Sequence, residues 1–332
     1  MATNLTAGAT LVPTTTLTPS WGAARPGDFG AVYTTPVPEG MPTTSTFLAG
    51  TPTPVVLTRA NSTSTTLAAP APAPLVGQPE NVINILLLGS DQKEIGSVGR
   101  TDTIIIATIH PRIPAVSLLS IPRDFYAWMP GRGFYKINTA FSRGGPALMK
   151  ATIRHNFGVE VDYYARIGFD SFVKIVDALG GVTVEVERPL HDPPSGQSGV
   201  QLEPGTHHRD GEQALWYVSS RRTTSDFDRQ RRQQEVLRAL CRRALRSGVI
   251  GRIRSLWGGW RESVSTDLDL RAMIRLGAIG MRLDPANVKS RFVGLGAVEP
   301  WTDPRGLYVL VPDVETLRSV VSEALAPPRV RP

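Results

Sequence analysis

Residues 82 to 89 read Val-Ile-Asn-Ile-Leu-Leu-Leu-Gly, a nearly all-apolar run that ends at a glycine. Two similar runs follow, one from Thr103 to Ile109 and one from Val116 to Ile121, where Pro122 ends it. Short apolar runs without polar alternation are typical of strands that are covered on both faces. The sequence therefore predicts three adjacent strands in a central sheet.

Segments with the apolar spacing of helices alternate with further short apolar runs. Helices are predicted at 147–157, 169–179, 226–245, 268–281 and 314–325, and strands at 163–167, 182–186 and 289–293. Residues 188–211, which are rich in Pro, Gly, His and Asp, are predicted to form a long loop. Alternating strands and helices favour a layered α/β fold.

The first 79 residues differ from the rest in composition. They are dominated by Thr, Pro, Ala and Gly, and their charged side chains are Arg25, Asp28, Glu39 and Arg59. Such a segment buries too little apolar surface to offset the entropy of ordering it. We therefore predict a disordered low-complexity linker over 1–79 and one folded domain over 80–327.

The chain has no apolar run near the roughly 20 residues that a membrane-spanning helix needs, and its amino terminus lacks a signal-peptide pattern. A Thr/Pro-rich stalk nevertheless suits a tether between a membrane or wall and a folded domain. We therefore expect an apolar anchoring helix upstream of this sequence.

Charge and cysteine content limit the classes of function. The net charge is +7, and much of the basicity lies between Arg221 and Arg254, which indicates an anionic partner such as phosphate groups, a membrane surface or nucleic acid. The single cysteine, Cys241, excludes an intramolecular disulfide framework and a multi-cysteine zinc site. Its place on the apolar stripe of a helix predicts core packing.

Four polar clusters that mix arginine with aspartate adjoin the predicted elements. They are Gly89-Ser90-Asp91, Gly99-Arg100-Thr101-Asp102-Thr103, Ile121-Pro122-Arg123-Asp124, and Ser225-Asp226-Phe227-Asp228-Arg229 through Arg232-Gln233-Gln234. Arginine binds phosphate oxygens two at a time, and nearby aspartates could hold Mg²⁺. Sites of this kind are suited to phosphoryl transfer. The alternative is that such pairs are solvated surface ion pairs of little consequence.

These clusters and the segments between them resemble the LytR–CpsA–Psr family. The matching stretches are 84–91, 99–103, 120–124, Lys136-Ile137-Asn138 with Ala140-Phe141 and Gly144-Gly145, 177–182, 211–215, and 226–229 with 232–234. Seven stretches in this order, within about 81–247, make the resemblance specific.

The resemblance implies a three-layer α-β-α sandwich with a central mixed sheet, an apolar tunnel for a polyprenyl chain and an arginine-lined mouth for its diphosphate. It implies an enzyme that transfers a phospho-glycopolymer, such as teichoic acid, from that lipid to a peptidoglycan hydroxyl, outside the cytoplasm at the membrane or wall. Pyrophosphatase activity is a possible side reaction.

Site residues carry over from the resemblance position by position. Asp91 and Asp102 become ligands for Mg²⁺ (or Mn²⁺), and Asp226 or Asp102 assists deprotonation of the acceptor. Diphosphate binding is expected from Arg100, Arg123, Arg221 and Arg229, with Lys136 and Gln233 beside them. Family members usually carry an Arg-x-Arg pair where this chain has Ser219-Ser220-Arg221. The first arginine of that pair is therefore absent here.

Two other functions remain open from the sequence. One is a transcriptional regulator that binds DNA through the basic stretch at 229–246. The lack of a helix-turn-helix or zinc motif, and the aspartates among the arginines, make us expect no nucleic-acid partner. The other is a non-catalytic module that binds polyprenyl phosphate or the wall, favoured if Ser219 disables the clamp.

Overall fold

The structure is a computed structural model, which describes residues 70–77, 81–91, 99–191, 201–220, 225–246, 248, 264–303 and 306–327. Contacts divide the chain into residues 1–70 and 71–332, and every element below lies in the second unit. Most of the predicted low-complexity linker is outside the described residues, so its disorder and its boundary at residue 80 stay predictions.

The described strands and helices confirm the predicted alternation. The strands are β1 (Ile83–Ser90), β2 (Thr101–His110), β3 (Ala115–Ser120), β4 (Tyr126–Met129), β5 (Gly133–Lys136), β6 (Tyr163–Ile167), β7 (Val182–Val186), β8 (Leu190–His191), β9 (Gln201–Leu202), β10 (Gly205–Arg209), β11 (Val264–Thr266), β12 (Val288–Phe292), β13 (Val298–Thr302) and β14 (Tyr308–Pro312). The helices are α1 (Ala140–Phe157), α2 (Phe169–Ala178), α3 (Gly211–Ser219), α4 (Asp226–Arg246), α5 (Leu270–Gly280) and α6 (Val314–Leu325).

A central six-stranded sheet has the spatial order β11-β6-β1-β2-β3-β12. The three predicted neighbours β1, β2 and β3 are adjacent and antiparallel, whereas β6 runs parallel to β1 and β12 runs parallel to β3. The sheet is therefore mixed, as predicted. Because β2 runs against β1 and β3, its amino end meets their carboxyl ends at one edge of the sheet.

Helices cover both faces of this sheet, which confirms the three-layer sandwich. Side chains of consecutive strand residues point to opposite faces, so the all-apolar strands supply two cores. On one face Leu86, Ile104, Ile106 and Leu119 share a buried cluster with Met149 and Ile153 of α1 and Leu317 and Val321 of α6. On the other face Ile83, Ile85, Ile105 and Leu118 pack with Leu237 of α4 and Leu276 and Ile279 of α5.

The helix predicted at 147–157 is preceded by a kink. Gly144 and Gly145 have non-helical backbone angles, with φ of 64° at Gly145, and Pro146 follows in the first turn of the regular helix. Proline is tolerated there because its missing N–H would have no intrahelical partner. Gly158 ends the helix at φ 66°.

The segment predicted as one long loop, 188–211, also contains strands. β8 pairs with β9, and β10 pairs antiparallel with β7 outside the central sheet. The prediction was wrong here because strand pairing, and not local composition, ordered this Pro- and Gly-containing segment. Residues 192–200 are outside the described part of the chain.

Residues just before β1 contact the carboxyl end of α1. The Ala73 amide donates to the His155 carbonyl at 2.7 Å, and the Val76 amide donates to the Gly158 carbonyl at 3.1 Å. In the described part of the chain, no helix combines the length and apolarity that a membrane span requires.

Candidate active site

Antiparallel pairing brings three of the predicted polar clusters to the same edge of the central sheet. Asp91 follows the carboxyl end of β1, Asp102 is the second residue of β2, and Arg123 lies three residues after β3. The register pairs Ser90 with Thr101 and Ile105 with Ser120. Residues from distant parts of the chain are thus gathered at one end of the sheet.

Arg123 lies among three carboxylates. Its Nη1 is 3.2 Å from Asp102 Oδ2, and its Nε is 3.6 Å from Asp124 Oδ2 and 3.7 Å from Asp226 Oδ1. The Arg123 side chain is 22% exposed, so the group is accessible from one side. Its Nε is buried and makes no hydrogen bond within the described residues, which leaves a donor in the site.

Helix α4 brings the fourth cluster to the same place. Asp226 begins the helix, and its Oδ1 is 2.6 Å from Nη2 of the buried Arg229. Arg229 Nη2 also donates to the Asp102 carbonyl at 3.4 Å. The amino terminus of a helix favours anions through its exposed N–H groups and dipole.

A side-chain cap holds this end of α4. The Ser225 hydroxyl accepts from the Asp228 amide at 3.1 Å, and Asp228 Oδ2 accepts from the Ser225 amide at 3.1 Å. Ser225 and Asp228 therefore form a reciprocal cap at the start of α4. Hydrogen bonds from Ser225 hold the pKa of the Asp228 carboxyl below its usual value.

Lys136 and Asn138 extend the cluster on the side of the β4–β5 hairpin. Lys136 Nζ lies 2.7 Å from Asp124 Oδ1, and Asn138 Nδ2 donates to Asp102 Oδ1 at 3.3 Å. Asn138 Oδ1 is buried without a hydrogen bond among the described residues. We call Asp102, Arg123, Asp124, Lys136, Asn138, Asp226 and Arg229 the charged cluster.

An apolar cavity of about 740 Å³ ends at this cluster. It lies between the sheet and helices α2, α3 and α4, and its polar lining consists mainly of Ser90, Asp91, Asp102, Thr103, Ser219, Arg229 and Gln233. Elsewhere its walls are apolar, including Leu87, Ile105, Ile167, Phe169, Phe172, Ile175, Leu215, Val236, Leu237, Leu240 and Ala244. The apolar stripe of α4 that carries Cys241 lines this cavity, and its members Val236, Leu237 and Leu240 also pack in the apolar core.

The part of α4 that lines the cavity indicates how long the cavity is. Arg229 and Ala244 both line it, and fifteen residues of α-helix span about 22 Å. Cys241 lies near the apolar end, where burial raises the pKa of its thiol. A long apolar chain with an anionic head group matches this shape.

The structure has the features that the family resemblance implied. The LytR_cpsA_psr family model matches residues 55–320. The chain belongs to this family. Its fold, its mouth of charged residues and its apolar cavity are therefore those of a LytR–CpsA–Psr domain.

Solved structures and a curated relative are similar to this chain. Polyisoprenyl-teichoic acid–peptidoglycan teichoic acid transferase TagU of Halalkalibacterium halodurans is 34% identical over 201 residues, which are 59% of this chain and 64% of the relative. Bacillus subtilis TagV has a TM-score of 0.63 at 26% identity, covering 74% of this chain and 98% of TagV. The LytR-CPS2A-psr family protein YwtF (TagT) with bound octaprenyl pyrophosphate lipid has a TM-score of 0.57 at 27% identity, covering 74% and 89%. The match to TagU thus spans less than two thirds of that relative's length.

The LytR–CpsA–Psr domain brings together most of the site residues predicted from the sequence. Asp102, Arg123, Lys136, Asp226 and Arg229 belong to the charged cluster. Gln233 and Asp91 line the cavity near its mouth. Their roles stay predictions.

Two predicted arginines are not placed in the cluster. Arg100 is exposed, and the ion pairs of the cluster among the described residues do not include it. Arg221 lies outside the described residues. Ser219, at the position where the resemblance predicts a missing arginine, lines the cavity. The buried Arg232 donates from Nε to the Tyr217 carbonyl at 2.9 Å and from Nη2 to the Ser220 carbonyl, so it holds the segment that leads to Arg221.

Arg166 near the mouth was missed by the sequence analysis. It is 6% exposed, its Nη2 donates to Ser90 Oγ at 3.1 Å, and its guanidinium lies 4.8 Å from the Phe141 ring centroid. Burial lowers the pKa of Arg166, while Tyr164 and Asp91 oppose that effect. Its signal in the sequence was an arginine inside a predicted strand, where a charge is uncommon.

The carboxylates at the mouth of the cavity are enough for only part of the coordination shell of a magnesium ion. Asp91 and Asp102 both line the mouth, but in the described residues no group of three His, Cys, Asp or Glu side chains could hold a metal ion. Mg²⁺ often binds through one or two carboxylates and takes its other ligands from substrate phosphates and water. A Mg²⁺ ion held by these two aspartates would therefore need its remaining ligands from a diphosphate and water.

Proposed function

We propose that this protein transfers a phospho-glycopolymer from a polyprenyl-diphosphate carrier to a hydroxyl of peptidoglycan. One observation carries the proposal: Asp102 and Arg229 belong both to the lining of the apolar cavity and to the charged cluster. A single ligand with an apolar tail and an anionic head would occupy both. DNA offers no such tail.

The known relatives support this substrate class. TagU is named for transfer of teichoic acid to peptidoglycan, and YwtF (TagT) binds octaprenyl pyrophosphate. The protein thus has a role at the cell envelope, and we place the folded domain on the extracytoplasmic side, near the membrane surface that supplies the lipid.

Positioning and charge neutralisation would carry most of the catalysis, as in other phosphoryl transfers. Arg123 and Arg229 bind the diphosphate oxygens at the mouth, while the cavity holds the prenyl chain. The acceptor hydroxyl oxygen attacks the glycopolymer-side phosphorus, the bond from that phosphorus to the bridging oxygen breaks, and polyprenyl monophosphate leaves. Asp226, whose carboxylate is 25% exposed beside Arg123, takes the hydroxyl proton, while Asp102 remains available to a metal ion.

The charge balance of the cluster supports a divalent cation. Arg123, Lys136 and Arg229 lie among Asp102, Asp124 and Asp226, so three positive charges meet three negative ones. A diphosphate brought to this site would add further negative charge beside the carboxylates, which is unfavourable. Mg²⁺ held by Asp91 and Asp102 would offset that charge.

A turnover assay tests the proposal. Purified protein is incubated with Mg²⁺ and a glycopolymer-loaded polyprenyl diphosphate, with and without peptidoglycan fragments, and polyprenyl monophosphate is measured. We expect its release together with labelled peptidoglycan. Lipid binding without release would favour the non-catalytic module, and sequence-dependent DNA binding without lipid binding would favour the regulator.

A further inference from the structure

The β4–β5 hairpin presents aromatic side chains on its outer face. Along β4, Ala127 and Met129 are fully buried, whereas the alternating Tyr126 and Trp128 are half-buried. The register places Trp128 opposite Phe134. The outer face of an antiparallel pair usually carries polar residues, so three large rings there depart from the pattern that folding alone requires.

These rings form a continuous surface with one residue of a neighbouring hairpin. The Phe134 ring centroid lies 5.1 Å from that of Tyr126 and 5.1 Å from that of Trp128. The Trp301 ring of β13 lies 5.9 Å from Tyr126. We call Tyr126, Trp128, Phe134 and Trp301 the aromatic strip. All four side chains are half-buried, so each also presents some surface to solvent.

The aromatic strip adjoins the charged cluster at Lys136 and Asp124, two members of the cluster that do not line the cavity. Lys136 pairs with Tyr126 across the hairpin, and its Nζ contacts Asp124, which in turn lies beside Arg123. Asp102, on the other side of Arg123, lines the cavity. A chain of contacts therefore runs from the cavity through Arg123 to the aromatic strip.

We propose that the aromatic strip binds the glycan chain of the acceptor, an inference that rests on the proposed function. A pyranose ring has an apolar face of C–H groups, which packs on an aromatic ring while its hydroxyls stay hydrated. In phosphoryl transfer the attacking and leaving oxygens lie roughly in line. With the leaving prenyl phosphate on the cavity side, the acceptor approaches from the side of the aromatic strip.

This position favours the acceptor over two other occupants. The glycopolymer of the donor is attached to the diphosphate and needs no separate anchor to reach the cluster. A second copy of the chain would cover the route by which the acceptor hydroxyl reaches Arg123. Aromatic side chains lose little conformational entropy when they bind, which suits a shallow site of this kind.

Binding of a hexamer of β-1,4-linked N-acetylglucosamine tests the inference directly. Full-length protein is titrated with the hexamer and followed by calorimetry and saturation-transfer NMR. We expect Trp128→Ala and Trp301→Ala each to weaken binding at least tenfold, and Trp128→Phe to retain most of it. Tyr308→Ala is the matched control, because Tyr308 is an exposed aromatic residue that pairs with Thr302 and not with Trp301.

Further readouts separate this inference from the proposed function and from a folding defect. The melting temperature identifies a variant that has lost its fold, and Trp301 lies on a different hairpin from Trp128, so one variant serves if the other unfolds. Polyprenyl diphosphate binding is measured in parallel and is expected to be unchanged in both. If the unaltered protein does not bind polyprenyl diphosphate, the proposed function is overturned. That result would not by itself overturn glycan binding by the aromatic strip.

Two results would overturn the aromatic-strip inference. One is that the unaltered protein does not bind the hexamer, or that it binds the hexamer with the same affinity as Trp128→Ala and Trp301→Ala do. The other is sedimentation showing a dimer that dissociates in Trp128→Ala, because a second copy would then occupy the strip.

Discussion

Asp102 Oδ2 lies 3.2 Å from Arg123 Nη1, which joins the amino end of β2 to the segment after β3. This contact fixes an arginine at the mouth of the apolar cavity, because Asp102 itself lines that cavity. The same arginine also faces Asp226 at the start of α4. Arg123 therefore connects the sheet edge, the helix terminus and the lipid-sized cavity.

Removal of the Arg123 guanidinium tests its assigned role. We expect Arg123→Ala to lower the rate of polyprenyl monophosphate release about 10²- to 10³-fold, the range found when a charge-stabilising donor is lost. The melting temperature should change little, because the guanidinium is partly exposed. The matched control is Arg132→Ala, an exposed arginine that donates to the Arg143 carbonyl. Equal rates in Arg123→Ala and the control would remove Arg123 from the mechanism.

Cys241 offers a test of cavity occupancy. Burial raises the pKa of its thiol, so little thiolate forms at neutral pH and labelling by a maleimide should be slow and accelerate as pH rises. Polyprenyl diphosphate should slow the labelling further by filling the cavity around the thiol. Mass spectrometry of this single cysteine measures both effects. Labelling that a saturating lipid leaves unchanged would show that the prenyl chain lies elsewhere.

The far end of the cavity should set the length of lipid that fits. A Cys241→Trp variant fills that end while leaving the charged cluster in place. We expect affinity for long polyprenyl diphosphates to fall at least tenfold, with short ones bound nearly as before. Cys241→Ser is the control for loss of the thiol. Equal losses for both lipid lengths would contradict a chain that extends along α4.

The cap of α4 makes part of the stability depend on pH. Ser225→Ala should cost about 1 kcal/mol of unfolding free energy. Since the folded-state pKa of Asp228 is depressed by Ser225, its contribution is present above the unfolded value of about 3.9 and is lost as pH falls through the folded value. Denaturant unfolding at pH 7 and at acidic pH should show the variant's deficit shrinking in acid. A deficit that stays constant with pH would contradict this linkage.

Gln234 anchors α4 to the sheet. It is fully buried, and its Nε2 donates to Ser120 Oγ at 2.7 Å and to the Arg291 carbonyl at 2.9 Å. Gln234→Ala leaves the buried Ser120 hydroxyl and the Arg291 carbonyl without this donor and should cost about 1–3 kcal/mol. Denaturant unfolding measures the loss, and Gln201→Ala, at an exposed position, should stay within about 0.5 kcal/mol. A loss no larger than that of the control would contradict the anchoring role.

Local patterns in the sequence were sufficient to predict the main strands and helices and to recognise the family. The apolar runs of β1, β2 and β3 predicted adjacent buried strands, and the spacing of apolar residues predicted α2, α4 and α6 within a residue or two. The order of the Arg–Asp motifs indicated a LytR–CpsA–Psr domain. These signals are available in sequence because residue period and turn composition act over a few neighbouring residues.

The tertiary structure decided which residues share the site. Whether Asp102 or Arg100 faces Arg123 depends on the β2–β3 register, and Arg166 reaches the mouth only because β6 lies beside β1. The α4 stripe has the pattern of a core-facing stripe, yet it also lines a cavity whose other walls come from the sheet, α2 and α3. Such outcomes arise from contacts between residues far apart in the chain, which local periodicity does not encode.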